Sequence, residues 1–124
     1  MIFSWSQFVE IAEHLKIEGE NNQTLQEAAY RSSVSRAYYG AYRHALNYAK
    51  SSMEYVPNDD GTDHKKLREL FKENGLSNIS RDLSRLHLWR KDCDYDEPLM
   101  RISDLPNCVN VSISSAKRII QDLA

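Results

Sequence analysis

Two stretches of this chain carry residue types that do chemistry. The first is RSSVSRAYYGAYRHALNYAK, residues 31–50, which has four cationic side chains, four tyrosines and no acid. On a helix, Ser32, Arg36, Tyr39 and Arg43 fall at i, i+4, i+7 and i+11, along one face. That face lies beside the apolar stripe, so Arg36 is expected to be partly buried. A buried guanidinium requires a carboxylate, a phosphate or stacked rings. Two readings follow: Arg36 pairs with an acid on a neighbouring helix, Asp92 or Asp94, or it waits for an anion. Tyr38 and Tyr39 point about 100° apart, so one can enter the core while the other stands on the Arg36 face. Gly40 costs about 1 kcal/mol against alanine inside a helix, which points to close approach by another helix or subunit.

The second stretch is Arg90-Lys91-Asp92-Cys93-Asp94-Tyr95. Arginine suits charge on a phosphate, whereas a phenol with an ordinary pKa near 10 is a poor base at neutral pH. Asp92, Asp94 and Asp96 alternate like the start of a calcium loop, but the required glycine and glutamate do not follow. His64 beside Asp63 is too little for zinc. No metal site and no cofactor are therefore expected. Of the other histidines, His14 reads as a surface residue, and His44 and His87 as helical residues, packed or exposed.

These residues need elements to position them. The 124 residues suit one domain spanning 1–124, and the 41% hydrophobic content supports a core. No apolar run approaches the roughly 20 residues of a membrane span. The first residues lack a basic leader segment and a cleavage site, Cys93 and Cys108 form no CxxC pair, and the net charge is −2. The expectation is a cytoplasmic protein with two reduced thiols and no global attraction to nucleic acid.

Helical spacing runs through the chain. Ser4 and Gln7 have capping-box spacing ahead of Trp5, Phe8, Ala12 and Leu15, and the polar residues 18–23 end that helix. Thr24 and Glu27 form a second box before a long helix reaching about Ser52. A loop at 56–63 precedes a short helix from about Asp63 to Asn74, with Gly75 as its C′ residue. Ser77 is set to cap a helix carrying Ile79, Leu83, Leu86 and Trp89 or Arg90, reaching about Tyr95. After a loop, Pro106 opens a last helix through Val109, Ile113, Ala116, Ile120 and Leu123. VNVSI, 109–113, has strand-like content but no partner strand, so helix is preferred. The fold class is all-α, an up-and-down bundle of four main helices plus one short helix.

RSSVSRAYYGAYRHA resembles the second helix of the HEPN domain family, especially its small stand-alone prokaryotic members, in which S-R-A-Y-Y recurs. DHKKLRELF, 63–71, is similar to the family's third helix, with His64 at its start, and LSRLHLWRKDCDYD, 83–96, to a segment ending in R-x-x-A-D-Y-D. The match covers roughly residues 5–123. It implies a bundle that dimerises, working in RNA-targeting toxin or defence biology. In the family's ribonucleases, arginine and histidine of an R-x(4–6)-H motif from two subunits form one metal-independent site. Here Arg90 matches the arginine and Tyr95 stands where the histidine is expected. The resemblance thus points to Arg90, Tyr95 and His64 as catalytic residues, with Ser32, Arg36, Tyr39, Arg43 and Asp94 as the binding face. It implies a homodimer, RNA or a nucleotide as ligand, and a nucleotidyltransferase as partner. Three functions follow: an endoribonuclease, a non-catalytic module binding nucleotide, RNA or that partner, and a structural interaction protein whose arginines are internally paired.

Overall fold

A computed structural model describes residues 2–124 of the chain. It is an all-α bundle: α1 (Ser6–Asn21), α2 (Gln26–Ser52), α3 (Thr62–Glu73), α4 (Ser77–Tyr95) and α5 (Leu105–Asp122), with a 3-10 turn at Gln23–Leu25. The 27-residue α2 is the central element and packs against α1, α4 and α5, while α3 lies chiefly on α4. The reason is in its side chains. Ala37, Ala41, Ala45 and Ala49 are all fully buried and let neighbouring helices approach the α2 backbone closely. Gly40 extends that strip. A Cβ there would sit 2.9 Å from Val9 Cγ2 and 3.1 Å from the Trp5 carbonyl, so the close neighbour expected from the sequence is α1.

α1 ends within residues 18–23 as expected, while several of the expected caps differ. α1 runs on through Gly19 to Asn21, because Gly19 is buried beneath Tyr30 and its carbonyl accepts a bond from Gln26 Nε2 at 2.9 Å. The Thr24 box does not form: Asn22 caps the 3-10 turn instead, accepting from the Leu25 amide at 3.3 Å. Ser4 holds the Ser6 amide at 3.3 Å, and α1 begins there. Ser77 opens α4, but its side chain makes no capping bond. Gly75 does end α3 in the left-handed region, at φ +80, with the Leu76 amide donating back to the Phe71 carbonyl at 2.8 Å. Residues 109–113 lie inside α5, which Asp104 caps with Pro106 in the first turn.

Two buried carboxylates anchor the loops around the site. Asp63 accepts the amides of Asn58 at 2.9 Å and Asp59 at 2.8 Å, and the Tyr55 hydroxyl, so the chain entering α3 is fixed beside His64. Asp92 accepts the amides of Met100, Arg101 and Ile102 at 2.8, 2.9 and 3.0 Å, tying the α4–α5 loop under the end of α4. Burial works to raise both carboxyls, but their hydrogen bonds outweigh it and hold both below the ordinary carboxylate range. Arg31 adds a second tie to the same loop, donating to the carbonyls of Cys93, Asp96 and Glu97. Cys93 and Cys108 are buried free thiols, pushed up to about 12 and about 11 by burial. Among the described residues, no helix is long and apolar enough to cross a membrane.

Candidate active site

The centre of the site is a tyrosine that sequence spacing assigned to packing. Tyr38 is buried on α2, and its hydroxyl meets two imidazoles. Nδ1 of His64, from the first turn of α3, bonds it on one side, and Nδ1 of His87, from α4, lies 3.1 Å away on the other. The two imidazole rings are 4.9 Å apart between centroids. Tyr42, one turn after Tyr38, stacks on His64 at 4.2 Å and holds that ring's plane. Three helices thus supply one Tyr–His–His cluster.

A phenol has one proton to give, so it donates to one imidazole and accepts from the other. The two histidines must therefore be opposite tautomers. One carries its proton on Nδ1 and presents a bare Nε2; the other presents Nε2–H. Both are half-buried. Burial pushes His64 down to about 4, helped by the positive charges of Arg90 and Arg68. Burial, then His64, Arg68 and Arg90, push His87 down to about 4 as well. Both rings are consequently neutral at pH 7. Burial raises the Tyr38 phenol far above its ordinary value, so it keeps its proton.

Arg90 stands against this cluster. Its guanidinium is buried among the rings of Tyr38 (5.6 Å), Tyr39 (5.2 Å) and Tyr95 (5.7 Å). It reaches Asp94 at 3.8 Å and donates to the Tyr95 hydroxyl at 3.4 Å, and its Nε is buried with no partner. Such a cation, loosely paired and short of acceptors, is a seat for an anion. Arg68 of α3 adds a second: it depresses both histidines, and its Nη1 is also buried without a partner.

Of the residues expected in the site, His64, Arg90, Tyr95, Tyr39 and Asp94 come together. Tyr95 is 73% exposed at the rim. Asp94 accepts from Ser35 at 3.0 Å as well as facing Arg90. Of the remaining binding residues, Arg36 meets the site only through the Tyr39 ring. Ser32 is exposed. Arg36 lies over Phe8 at 5.2 Å and Tyr39 at 5.5 Å, and Arg43 over Trp5 at 4.9 Å. The aromatic start of α1 therefore partly covers the α2 face that was expected to bind. The proposed Arg36 pair with Asp92 or Asp94 is also corrected: rings satisfy Arg36, the loop amides take Asp92, and Arg90 takes Asp94.

His87, Tyr38 and Arg68 were missed. One signal was available: His87 and Arg90 are at i and i+3, which places them on one face of α4. The partnership of His64 with His87 has no local signal, because it forms across two helices. His44 serves elsewhere, bonding the Leu123 carbonyl at 3.0 Å, and His14 is exposed. Among the described residues, no group of three His, Cys, Asp or Glu is placed to hold a metal ion.

The fold and site together define a helical bundle with a neutral histidine pair bridged by a phenol beside a buried arginine. Comparison with known protein families, curated proteins and solved structures found no match.

Proposed function

We propose that this chain is a HEPN-type, RNA-targeting protein that cleaves RNA without a metal and works as a homodimer. The observation that carries this reading is the Tyr38 bridge between His64 and His87 beside Arg90. Cleavage of RNA by its own 2′-hydroxyl moves one proton in and one proton out. The 2′-oxygen attacks phosphorus, the bond from phosphorus to the 5′-oxygen breaks, and a 2′,3′-cyclic phosphate and a 5′-hydroxyl result. With both Nδ1 atoms engaged by Tyr38, each imidazole meets substrate through Nε2. The bare Nε2 takes the 2′-hydroxyl proton, while the Nε2–H of the other ring gives its proton to the departing 5′-oxygen. The Nδ1–H of the first ring passes to the Tyr38 oxygen as the Tyr38 proton passes to the second ring. The relay starts and ends neutral, which suits rings whose cationic forms are disfavoured by burial. Arg90 and Arg68 oppose the negative charge that builds on the phosphate oxygens.

This chemistry supports the reading despite Tyr95 standing in the expected histidine position. The base and acid come from α3 and α4, and Tyr95 at the rim donates a hydrogen bond or stacks on a base. The test is incubation of purified protein with a labelled RNA of mixed sequence in EDTA. Fragments ending in 2′,3′-cyclic phosphate are expected, falling by about 10²-fold or more in His64→Gln, His87→Gln and Arg90→Ala. Folded wild-type protein that leaves every RNA intact overturns the nuclease and favours a binding module for RNA, nucleotide or a partner nucleotidyltransferase. Sedimentation reads the homodimer separately.

A further inference from the structure

Between α3 and α4 lies an open groove of about 700 Å³. Lys65, Arg68 and Lys72 line it from α3, and Arg81 and Arg85 from α4, against a single carboxylate, Glu69. This is a dense local excess of positive charge in a chain of net charge −2. The internal partners use little of it. Lys65 is 3.9 Å from Glu69, Arg81 meets the neutral Asn78 at 3.2 Å, and Lys72 is exposed. Arg85 is the most engaged, bonded to Ser115 at 3.0 Å and 3.5 Å from Asp82, which Arg118 also holds. Arg68 has a buried Nη1 with no acceptor at all.

The spacing is that of a track. Lys65, Arg68 and Lys72 sit at i, i+3 and i+7, a span on the order of 10 Å along α3. Ser77, Ser80 and Ser84 repeat the same spacing on the α4 wall and offer a row of hydroxyl donors. The groove's lining includes the sequence neighbours of both histidines, Lys65 beside His64 and Leu88 beside His87. His64 is one turn before Arg68 on α3, His87 is three residues after Ser84 on α4, and the Arg68 charge acts on both histidines. A positively charged groove that tracks a sugar–phosphate backbone is the usual seat of single-stranded nucleic acid.

We propose that the α3–α4 groove seats the sugar–phosphate backbone of single-stranded RNA and feeds one phosphate to the histidine pair. The inference rests on the RNA reading above and deepens it by naming the substrate form and its path. Phosphate contacts of this kind position a strand without reading its sequence.

The test is fluorescence anisotropy with a 2′-O-methyl RNA strand, which the site cannot cleave, and with the same sequence as a duplex. The exposed groove residues are reversed in Lys72→Glu/Arg81→Glu. Lys16→Glu/Lys50→Glu, outside the groove, makes the same change in net charge. The groove variant is expected to bind the single strand at least ~10-fold more weakly, and its salt slope to fall by about 1.4, two single-strand phosphate contacts. The control variant is expected to lose less than ~3-fold. Equal losses in the two variants, no single-strand binding at low salt, or tighter binding of the duplex each overturn the groove. The nuclease reading fails separately: groove-dependent binding with no cleavage of unmodified RNA leaves the track and removes the reaction, while cleavage with unchanged binding in the groove variant does the reverse.

Discussion

Tyr38 is a positioning residue in the proposed reaction, because it acts only through the two imidazoles. Removing its hydroxyl tests the relay directly. In Tyr38→Phe the His64 ring keeps its stack on Tyr42 and the His87 ring its edge contact with residue 38, but neither Nδ1 has its present partner. The expected result is kcat lower by about 10²-fold with KM for RNA little changed. A structural role would lower activity only in proportion to unfolding, so the pH profile separates the cases. Without the bridge, each histidine must titrate on its own to serve as base or acid, and the profile shifts. An unchanged profile with unchanged kcat removes the relay. Arg90 behaves differently. Its guanidinium is enclosed by three rings and is expected to hold phosphate, so Arg90→Lys should weaken RNA binding as well as rate. A compact ammonium cannot stack and fork in the same place.

At the scale of elements, the α1–α2 contact is the tightest constraint on the bundle. Gly40→Ala places a methyl group 2.9 Å from Val9 Cγ2 and 3.1 Å from a backbone carbonyl that cannot swing away. Overpacking costs typically 1–3 kcal/mol, and the better helix propensity of alanine returns about 1. A net loss of up to about 2 kcal/mol is expected, read as a lower midpoint in urea. The α4–α5 loop is held by Asp92, and Asp92→Asn replaces one acceptor oxygen with a donor facing backbone amides. A loss of about 2–3 kcal/mol is expected, with faster hydrogen exchange at residues 100–102. These same contacts explain what could be read from the chain beforehand. The five helices follow from apolar spacing over many residues, and Gly40 and Gly75 each marked a real constraint. The Thr24 cap was misplaced because Asn22 competes for the same few residues. The expected arginine face is partly covered by Trp5 and Phe8, which come from another segment of the chain. Local spacing shows which side chains share a face, not what lies on top of it. For that reason Arg90 and His64 were found singly, and their joining through Tyr38 and His87 was not.

The whole molecule couples its site to its stability through protons. His64 and His87 are held near 4 in the folded chain, below the ordinary value near 6.5 that they regain on unfolding. Between those values the unfolded chain binds more protons than the folded one, so stability falls as pH falls. Well above 6.5 neither state carries these protons, and the histidines impose no slope. Asp63 and Asp92 act lower. Their folded carboxyls lie below the ordinary range, so their stabilisation is present at neutral pH and is lost as acid protonates them. The melting temperature should therefore be level near pH 7–8, decline towards pH 4, and fall again in stronger acid; well above pH 8 it should fall too, because the buried Cys93 and Cys108 thiols keep protons that the unfolded chain loses. The double variant His64→Gln/His87→Gln separates the two limbs. It should flatten the decline between about 6.5 and 4 while leaving the acid limb intact, since the loop carboxylates remain. Calorimetry across that range reads both limbs in one series. A wild-type curve that stays level down to pH 4 would mean that the rings accept protons in place. Such rings would act as ordinary independent acids and bases, with no need for the neutral Tyr38 bridge between them.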